Sequence, residues 1–241
     1  MTVIGKTDIG VVRNTNQDSF LCEKLTDEIA YAVVCDGMGG ANGGEVASEV
    51  AAKEIFGALK SGIRKDMTER SAELLFKTAI YNANKAVFNR SQTDKALLGM
   101  GTTAVAAIAT DNCFYYAHVG DSRIYLAENG KLRHLTKDHS VVQSLVENGQ
   151  LTEEEALLYP NRNIITRAIG VREEVEIDFN TCRRENDDIL LLCTDGLTNF
   201  VDDDSIYKII TENDPCDALT LLINAANENG GKDNITAVII K

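Results

Sequence analysis

The chain has 241 residues, with 24 Lys and Arg against 37 Asp and Glu, a formal net charge of −13. At 44% hydrophobic and 25% charged, the composition is that of a globular protein with a sizeable core, which excludes a disordered chain. The negative charge argues against a nucleic-acid partner or an anionic membrane surface, since both require a positive field.

Residues 1–8 carry no long apolar stretch, so no secretory signal is expected. No apolar run approaches about 18 residues, so no membrane insertion is expected. The cysteines are Cys22, Cys35, Cys113, Cys182, Cys193 and Cys216, and none form a C-x-x-C pair. They read as reduced thiols of a cytoplasmic protein. His118, His134 and His139 show no metal-ligand spacing. With no linker, repeat or low-complexity segment, residues 1–241 read as one domain.

The run 32–35 is apolar and strand-like. Ala47, Ala51, Ile55, Ala58 and Leu59 share one face of a helix expected over 45–60. A second helix is expected over 68–90, with Thr68 as N-cap and a stripe of Leu75, Phe76, Ala79, Ile80, Ala83 and Val87. Strands are expected at 102–109, 113–119, 123–127 and 131–135. Asp111-Asn112 and Asn129-Gly130 join them, and Asn-Gly is the preferred type I′ hairpin pair. Tight turns make such neighbours antiparallel.

Short helical pieces follow at 141–147 and 153–158, then a break at Tyr159-Pro160-Asn161. Strand character returns at 175–179 and 189–193. A helix over 203–211 precedes one opened by Asp214-Pro215 and stopped by Gly230-Gly231, and 235–240 is a last strand. Helices covering antiparallel sheets make an α+β fold. The pairs Asp187-Asp188 and the run 202–204 read as solvated charge, the latter suiting a helix N-terminus, as Glu153-Glu154-Glu155 does.

One arrangement recurs: an apolar strand ends in Asp beside Gly. It occurs at Asp36-Gly37, Asp195-Gly196 and Gly120-Asp121, and Asp233 precedes the last strand. A lone Asp-Gly after a strand is usually a turn. Four carboxylates gathered at one sheet edge would repel one another unless a cation neutralised them, and hard divalent ions prefer such oxygen ligands. Spacing alone does not show that they converge.

Taken with their neighbours, these residues resemble the type 2C metal-dependent Ser/Thr protein phosphatases of bacterial type. The matching motifs run through the chain in order: Arg13-Asn14-Thr15-Asn16-Gln17-Asp18, Asp36-Gly37-Met38-Gly39-Gly40, Gly101-Thr102-Thr103, Gly120-Asp121-Ser122-Arg123, Asn163-Ile164-Ile165-Thr166-Arg167-Ala168-Ile169-Gly170, Thr194-Asp195-Gly196 and Gly231-Lys232-Asp233-Asn234-Ile235-Thr236. Each is short, and their joint order carries the match.

The resemblance implies a four-layer α-β-β-α sandwich, two antiparallel sheets flanked by helix pairs, with two Mn²⁺ or Mg²⁺ ions at one end and a third weaker one. It implies Asp36 as the shared catalytic and metal ligand, the Gly37 carbonyl on the second ion, Asp195 and Asp233 on the first, and Asp121 with Asp195 on the third. It implies Arg13 as phosphate clamp and Asp18 as a carboxylate behind the ions. It further implies hydrolysis of phosphoserine and phosphothreonine on proteins by a metal-bound water or hydroxide, in opposition to a bacterial Ser/Thr kinase. Residues 141–162 correspond to the flap beside the active site.

Beside these roles stand plainer ones: a solvated basic residue for Arg13 and an Asx-turn for Asp18. Asn16 and Asn234 suit loop caps, His118 a structural place in its strand, and His139 a loop role. Met38 stands where animal-type members carry a His proposed as general acid, which leaves the proton donor unassigned among the side chains; a metal-bound water is expected in that role. Ala41 departs from the His of many bacterial relatives. The competing readings are a non-catalytic scaffold, disfavoured by the intact Arg13, Asp36, Asp121, Asp195 and Asp233, and a hydrolase of small phosphoesters. A monomer is expected.

Overall fold

Strand alternation decides the layering of this computed structural model, which describes the backbone of residues 1–241 and all side chains except those at 40–42 and 157. Its strands are β1 (Val3–Asp8), β2 (Asp18–Lys24), β3 (Ala30–Met38), β4 (Gly101–Thr102), β5 (Ala104–Ala109), β6 (Cys113–Val119), β7 (Arg123–Glu128), β8 (Lys131–His134), β9 (Asp178–Arg183), β10 (Ile189–Cys193) and β11 (Ile235–Ile240). One antiparallel sheet has the order β1-β11-β10-β7-β8. The other has the order β2-β3-β5-β6-β9, with β4 paired to β3.

Successive strand side chains leave opposite faces. In the second sheet Tyr31, Val33, Cys35, Ala106 and Ile108 face one core, against α1 (Gly40–Gly62) and α2 (Glu69–Thr93). Ala30, Ala32, Val34, Val105 and Ala107 face another, where they meet Leu126, Leu190, Leu192, Val238 and Ile240 of the first sheet. The far face of the first sheet, with Leu191, Cys193, Ala237 and Ile239, packs on two helices near the C-terminus, which contribute Ile206, Ile210, Leu222 and Ile223. The inner strands are therefore buried on both faces, which is why they read as continuous apolar runs. Each fully buried Leu, Ile or Phe contributes about 1.5–3 kcal/mol of transfer free energy.

The remaining helices are α3 (Val141–Glu147), α4 (Glu153–Leu157), α5 (Asp195–Thr198), α6 (Asp203–Glu212) and α7 (Pro215–Glu228). Local signals fall where the sequence puts them. Thr68 caps α2 by accepting the Ser71 N–H, Asp202 caps α6 through the Ser205 N–H, and Pro215 occupies the first turn of α7. Asn129 and Gly130 both take positive φ (49° and 81°), as the type I′ turn between β7 and β8 requires.

Several expectations shift. The helix expected from residue 45 begins at Gly40, because glycine-rich sequence has poor intrinsic propensity and hides a helix held by tertiary contacts. The strand expected over 102–109 breaks at Thr103, between β4 and β5. The strand expected over 175–179 lies at Asp178–Arg183; Val175 and Ile177 pack on the helix-side core from a loop instead. Asp188, read as solvated, is 5% exposed and accepts the Glu185 N–H at 2.8 Å. β1 and β2 have no counterpart among the expected strands. The departure at Ala41 lies outside the described side chains.

Candidate active site

The ends of five strands meet at one end of the sandwich. β2 opens with Asp18, β3 carries Asp36 and Gly37 near its end, and Asp121 follows β6. Thr194 and Asp195 follow β10, and Asp233 and Asn234 precede β11. Together they border an open cleft of about 660 Å³, lined by Arg13, Gln17, Asp36, Gly37, Met38, Thr103, Asp121, Asn163, Ile165, Asp195, Asp233 and Asn234.

Two close backbone approaches shape it. A Cβ on Gly37 would lie 2.1 Å from the Gly44 carbonyl oxygen and 2.5 Å from that of Gln17. The start of α1 therefore presses directly on the end of β3. A Cβ on Gly196 would lie 1.9 Å from the Asn234 carbonyl oxygen, which seats α5 against the entry to β11.

Asp18 does not line the cleft. It is 8% exposed and lies behind it, where Oδ2 accepts the hydroxyls of Thr194 (2.9 Å) and Thr236 (2.6 Å). Its Oδ1 is buried with no hydrogen-bond partner among the described residues. Burial drives the Asp18 carboxyl up to about 7, against the two threonine hydroxyls. Burial also raises Asp36 far above the usual carboxylate range, with the charges of Asp18, Asp195, Asp121 and Asp233 adding to it. Asp121 is pushed up to about 7 by burial and by Asp195. Asp195 is raised by burial and Asp233, although Asn199 Nδ2 donates to it at 2.9 Å.

Arg13 is the cation of this cleft, and its Nη2 donates to Asp233 Oδ2 at 2.8 Å. That hydrogen bond raises the guanidinium's pKa, and half of the side chain stays exposed. Hence one guanidinium faces four lining carboxylates, with a fifth behind them. An all-oxygen donor set on the cleft, with an unused carboxylate oxygen of Asp18 buried behind it, suits hard divalent cations. No His, Lys, Cys or Tyr lines the cleft among the described residues, and the thioether of Met38 cannot donate a proton.

The sequence motifs understate the supporting residues. Asn234, read as a loop cap, donates Nδ2 to the carbonyls of Ile9 and Thr15 and accepts the Gln17 N–H, so it folds the loop that presents Arg13. Thr194 and Thr236 hold the Asp18 carboxylate from behind, and Thr102 and Thr103 bond the backbone of Asp36. Their visible signal is membership of the short matching motifs, which says nothing of what each hydroxyl bonds.

A second polar group lies apart from the cleft lining. His118, His139 and Asp178 bring donor atoms within 4.8 Å of one another. Spacing hid this, whereas register explains it: His118 pairs with Asp178 across β6 and β9. The two imidazoles stack at 4.6 Å with planes 20° apart. An imidazole binds a metal in its own ring plane, about 2.0–2.1 Å away, so stacked rings cannot share one ion. Arg167 already supplies the cation, donating Nη1 to Asp178 at 2.9 Å. His139 Nδ1 accepts the Gly120 N–H, and its backbone N–H donates to the Gly120 carbonyl. The group is a structural clamp on the turn before Asp121, in keeping with the plain roles expected of both histidines.

A profile of the family described as "Protein phosphatase 2C" matches residues 11–230. The chain is 38% identical over 237 residues to a serine/threonine phosphatase stp of Listeria monocytogenes, covering 98% of this chain and 94% of that one. The chain belongs to the protein phosphatase 2C family. Its fold agrees with that of serine/threonine phosphatase Stp1 from Staphylococcus aureus, with a TM-score of 0.91 and 33% identity over 99% of this chain and 94% of that one. The catalytic domain of the serine/threonine protein phosphatase PstP, solved in complex with two manganese ions, matches with a TM-score of 0.84 and 31% identity over 99% and 96% of the two chains. This chain is thus a protein serine/threonine phosphatase of the 2C type, with the two antiparallel sheets and flanking helices of its relatives. No helix among its described residues is long and apolar enough to cross a membrane.

Proposed function

We propose that this phosphatase removes phosphate from phosphoserine and phosphothreonine in proteins at a centre of two Mn²⁺ or Mg²⁺ ions, and opposes a Ser/Thr kinase in the cytoplasm. The observation that carries the reading is the convergence of Asp36, Asp121, Asp195 and Asp233 on one cleft beside a single arginine. Asp36 and the Gly37 carbonyl would hold the second ion, and Asp36, Asp195 and Asp233 the first. Asp121 with Asp195 would take a third. When bound, such ions supply positive charge to phosphoryl oxygens and acidify water.

The chain's own residues do the rest. Arg13 is exposed enough to reach a phosphate while its fork remains tethered to Asp233, and a guanidinium can grip two phosphate oxygens at once. Asp18 stands beside Asp36 in the β2–β3 ladder, and its unpaired oxygen would serve a water bound among the metal ligands. The open cleft admits a side chain projecting from a polypeptide. All six thiols are free, as a reducing cytoplasm would keep them.

Phosphate release from a phosphothreonine peptide, measured with and without Mn²⁺, tests this reading. Release should require the metal and collapse in Asp36→Asn. Metal-independent release, or full activity in that variant, would overturn it.

A further inference from the structure

The strand interruption at Thr103 joins two of the proposed ligands. Thr103 stands opposite Asp36, between the β3–β4 and β3–β5 registers, and its N–H donates to the Asp36 carbonyl at 2.8 Å. The same carbonyl accepts the Thr102 hydroxyl at 2.8 Å. In return the Asp36 N–H donates to Thr103 Oγ1 at 3.0 Å. Thr103 thus holds the backbone of Asp36 by a reciprocal pair of hydrogen bonds.

Its hydroxyl has a further contact on the opposite side. Thr103 Oγ1 lies 2.7 Å from Ser122 Oγ, and the two residues are 3% and 1% exposed. Ser122 follows Asp121 directly. The methyl side of Thr103 packs on Gly120, where an added Cβ would sit 2.6 Å from Thr103 Cγ2. One threonine therefore touches the residues on both sides of Asp121 and the backbone of Asp36. Both residues are buried, so the Ser122 hydroxyl depends on Thr103 for its hydrogen bond, while Thr103 Oγ1 serves both Ser122 and the Asp36 N–H.

We propose that Thr103 and Ser122 are positioning residues that fix Asp36 relative to Asp121, and so couple the third cation site to the two-ion centre. The inference rests on the ligand assignment proposed above and adds residues to which that assignment gives no part. Residues that orient ligands from behind typically govern metal affinity by about 10–100-fold. Replacing Thr103 with Val keeps the shape but leaves the Asp36 N–H and the Ser122 hydroxyl buried without partners. Replacing Ser122 with Ala leaves the hold on Asp36 intact and removes only the link to Asp121.

The test is calorimetric titration of metal-free protein with Mn²⁺, alongside thermal melts in chelator. Thr103→Val should lose about 10–100-fold in affinity at the tight sites, and Thr103→Ser, which restores the hydroxyl, should stay within about threefold of the parent. Ser122→Ala should weaken the loosest site about tenfold and leave the tight sites within about twofold. The chelator melts separate these shifts from loss of fold, and Ser122→Ala carries the test if Thr103→Val does not fold. Parental affinities at every site in Ser122→Ala and in folded Thr103→Val would overturn the coupling. A parental isotherm in Asp36→Asn would instead overturn the ligand assignment, and the coupling with it.

Discussion

Asp18 and Asp36 are register partners in the β2–β3 ladder, so two carboxylates leave the same face of one sheet side by side. Like charges directly opposite in a ladder repel, and Asp18 is buried while Asp36 borders the cleft. The arrangement stores unfavourable energy in the metal-free protein and makes it depend on pH.

Asp18 and Asp121 both titrate near 7 in the fold, pushed up mainly by burial, whereas unfolded carboxyls titrate near about 3.9. The folded state therefore holds more protons through neutral pH, and stability falls as pH rises through 7. His134 and His139 oppose this at lower pH. Burial holds both down to about 4, so their contribution is lost as pH falls below about 6.5. Between pH 6.5 and 8 the carboxylates dominate. Metal-free protein should lose between about 1 and 2 kcal/mol over that range, a fall in Tm of about 3–6 °C. Excess Mn²⁺ should flatten the slope. Melting curves in chelator that stay level from pH 6.5 to 8 would count against the buried-carboxylate account.

Arg13 combines an exposed side chain with a single anchoring ion pair to Asp233. An ion pair this open to solvent contributes about 0–1 kcal/mol, so Arg13→Ala should leave the Tm almost unchanged. If its fork holds phosphate, the same substitution should lower kcat/KM about 100-fold or more. Arg13→Lys should recover only part of that, since an ammonium keeps the charge but loses the two parallel bonds. Steady-state kinetics on a phosphothreonine peptide would show this; equal kinetics for all three proteins would remove Arg13 from the phosphate site.

Two glycines 20 residues apart make opposite predictions. At Gly37 a methyl group would collide with the backbone oxygens of Gly44 and Gln17. Gly37→Ala should cost about 3 kcal/mol, roughly 6–12 °C in Tm, by forcing α1 away from β3. Gly57 lies inside α1 with nothing within 4 Å of an added Cβ. Gly57→Ala should stabilise the protein by about 0.5–1 kcal/mol through helix propensity. Differential scanning fluorimetry of both variants checks the contrast.

What was legible in the sequence follows from what kind of signal each part carries. The inner strands and α2 are buried along whole faces, so their periodicity shows; Phe76, Ala79, Ile80, Ala83 and Val87 are all buried as their stripe predicts. β1 lies at a sheet edge and mixes Gly5, Lys6 and Thr7 into its run, so its strand character depends on the ladder with β11. Asp36, Asp121 and Asp195 were visible because each sits at a strand end beside glycine, and Asp233 because it leads into the last strand. Their convergence was not, since it depends on sheet order. The threonines behind them, and the His118–His139–Asp178 clamp, depend on cross-strand register and carry no periodic signal. Thr103 was visible as part of a motif, but the strand break that sets its role lies inside what reads as one uninterrupted strand.

Residues 141–162 make the last prediction. α3 has no buried residue, so this segment adds little to the core. Its root, in contrast, is fastened: Val141 N–H donates to the Ile164 carbonyl at 2.8 Å, Ser140 and Ile165 form a bridge, and Thr166 N–H donates to the His139 carbonyl at 2.7 Å. Between the segment and the sheets lies a cavity of about 400 Å³ that Val142, Val146, Ala156 and Arg162 line on one side and Asp121, Asp195 and Asp203 on the other. A lightly packed element on a rigid root, beside the proposed third-ion ligand, suits a flap that meets the polypeptide around the phosphate. Replacing residues 142–162 with a short Gly-Ser turn should shift the Tm by less than about 3 °C, because the root bonds survive. It should raise KM for a phosphothreonine peptide about tenfold while leaving hydrolysis of a small aryl phosphate within about threefold, since only the peptide extends beyond the cleft. Unchanged KM and turnover on the peptide, in a protein that still folds, would mean that this segment has no part in substrate choice.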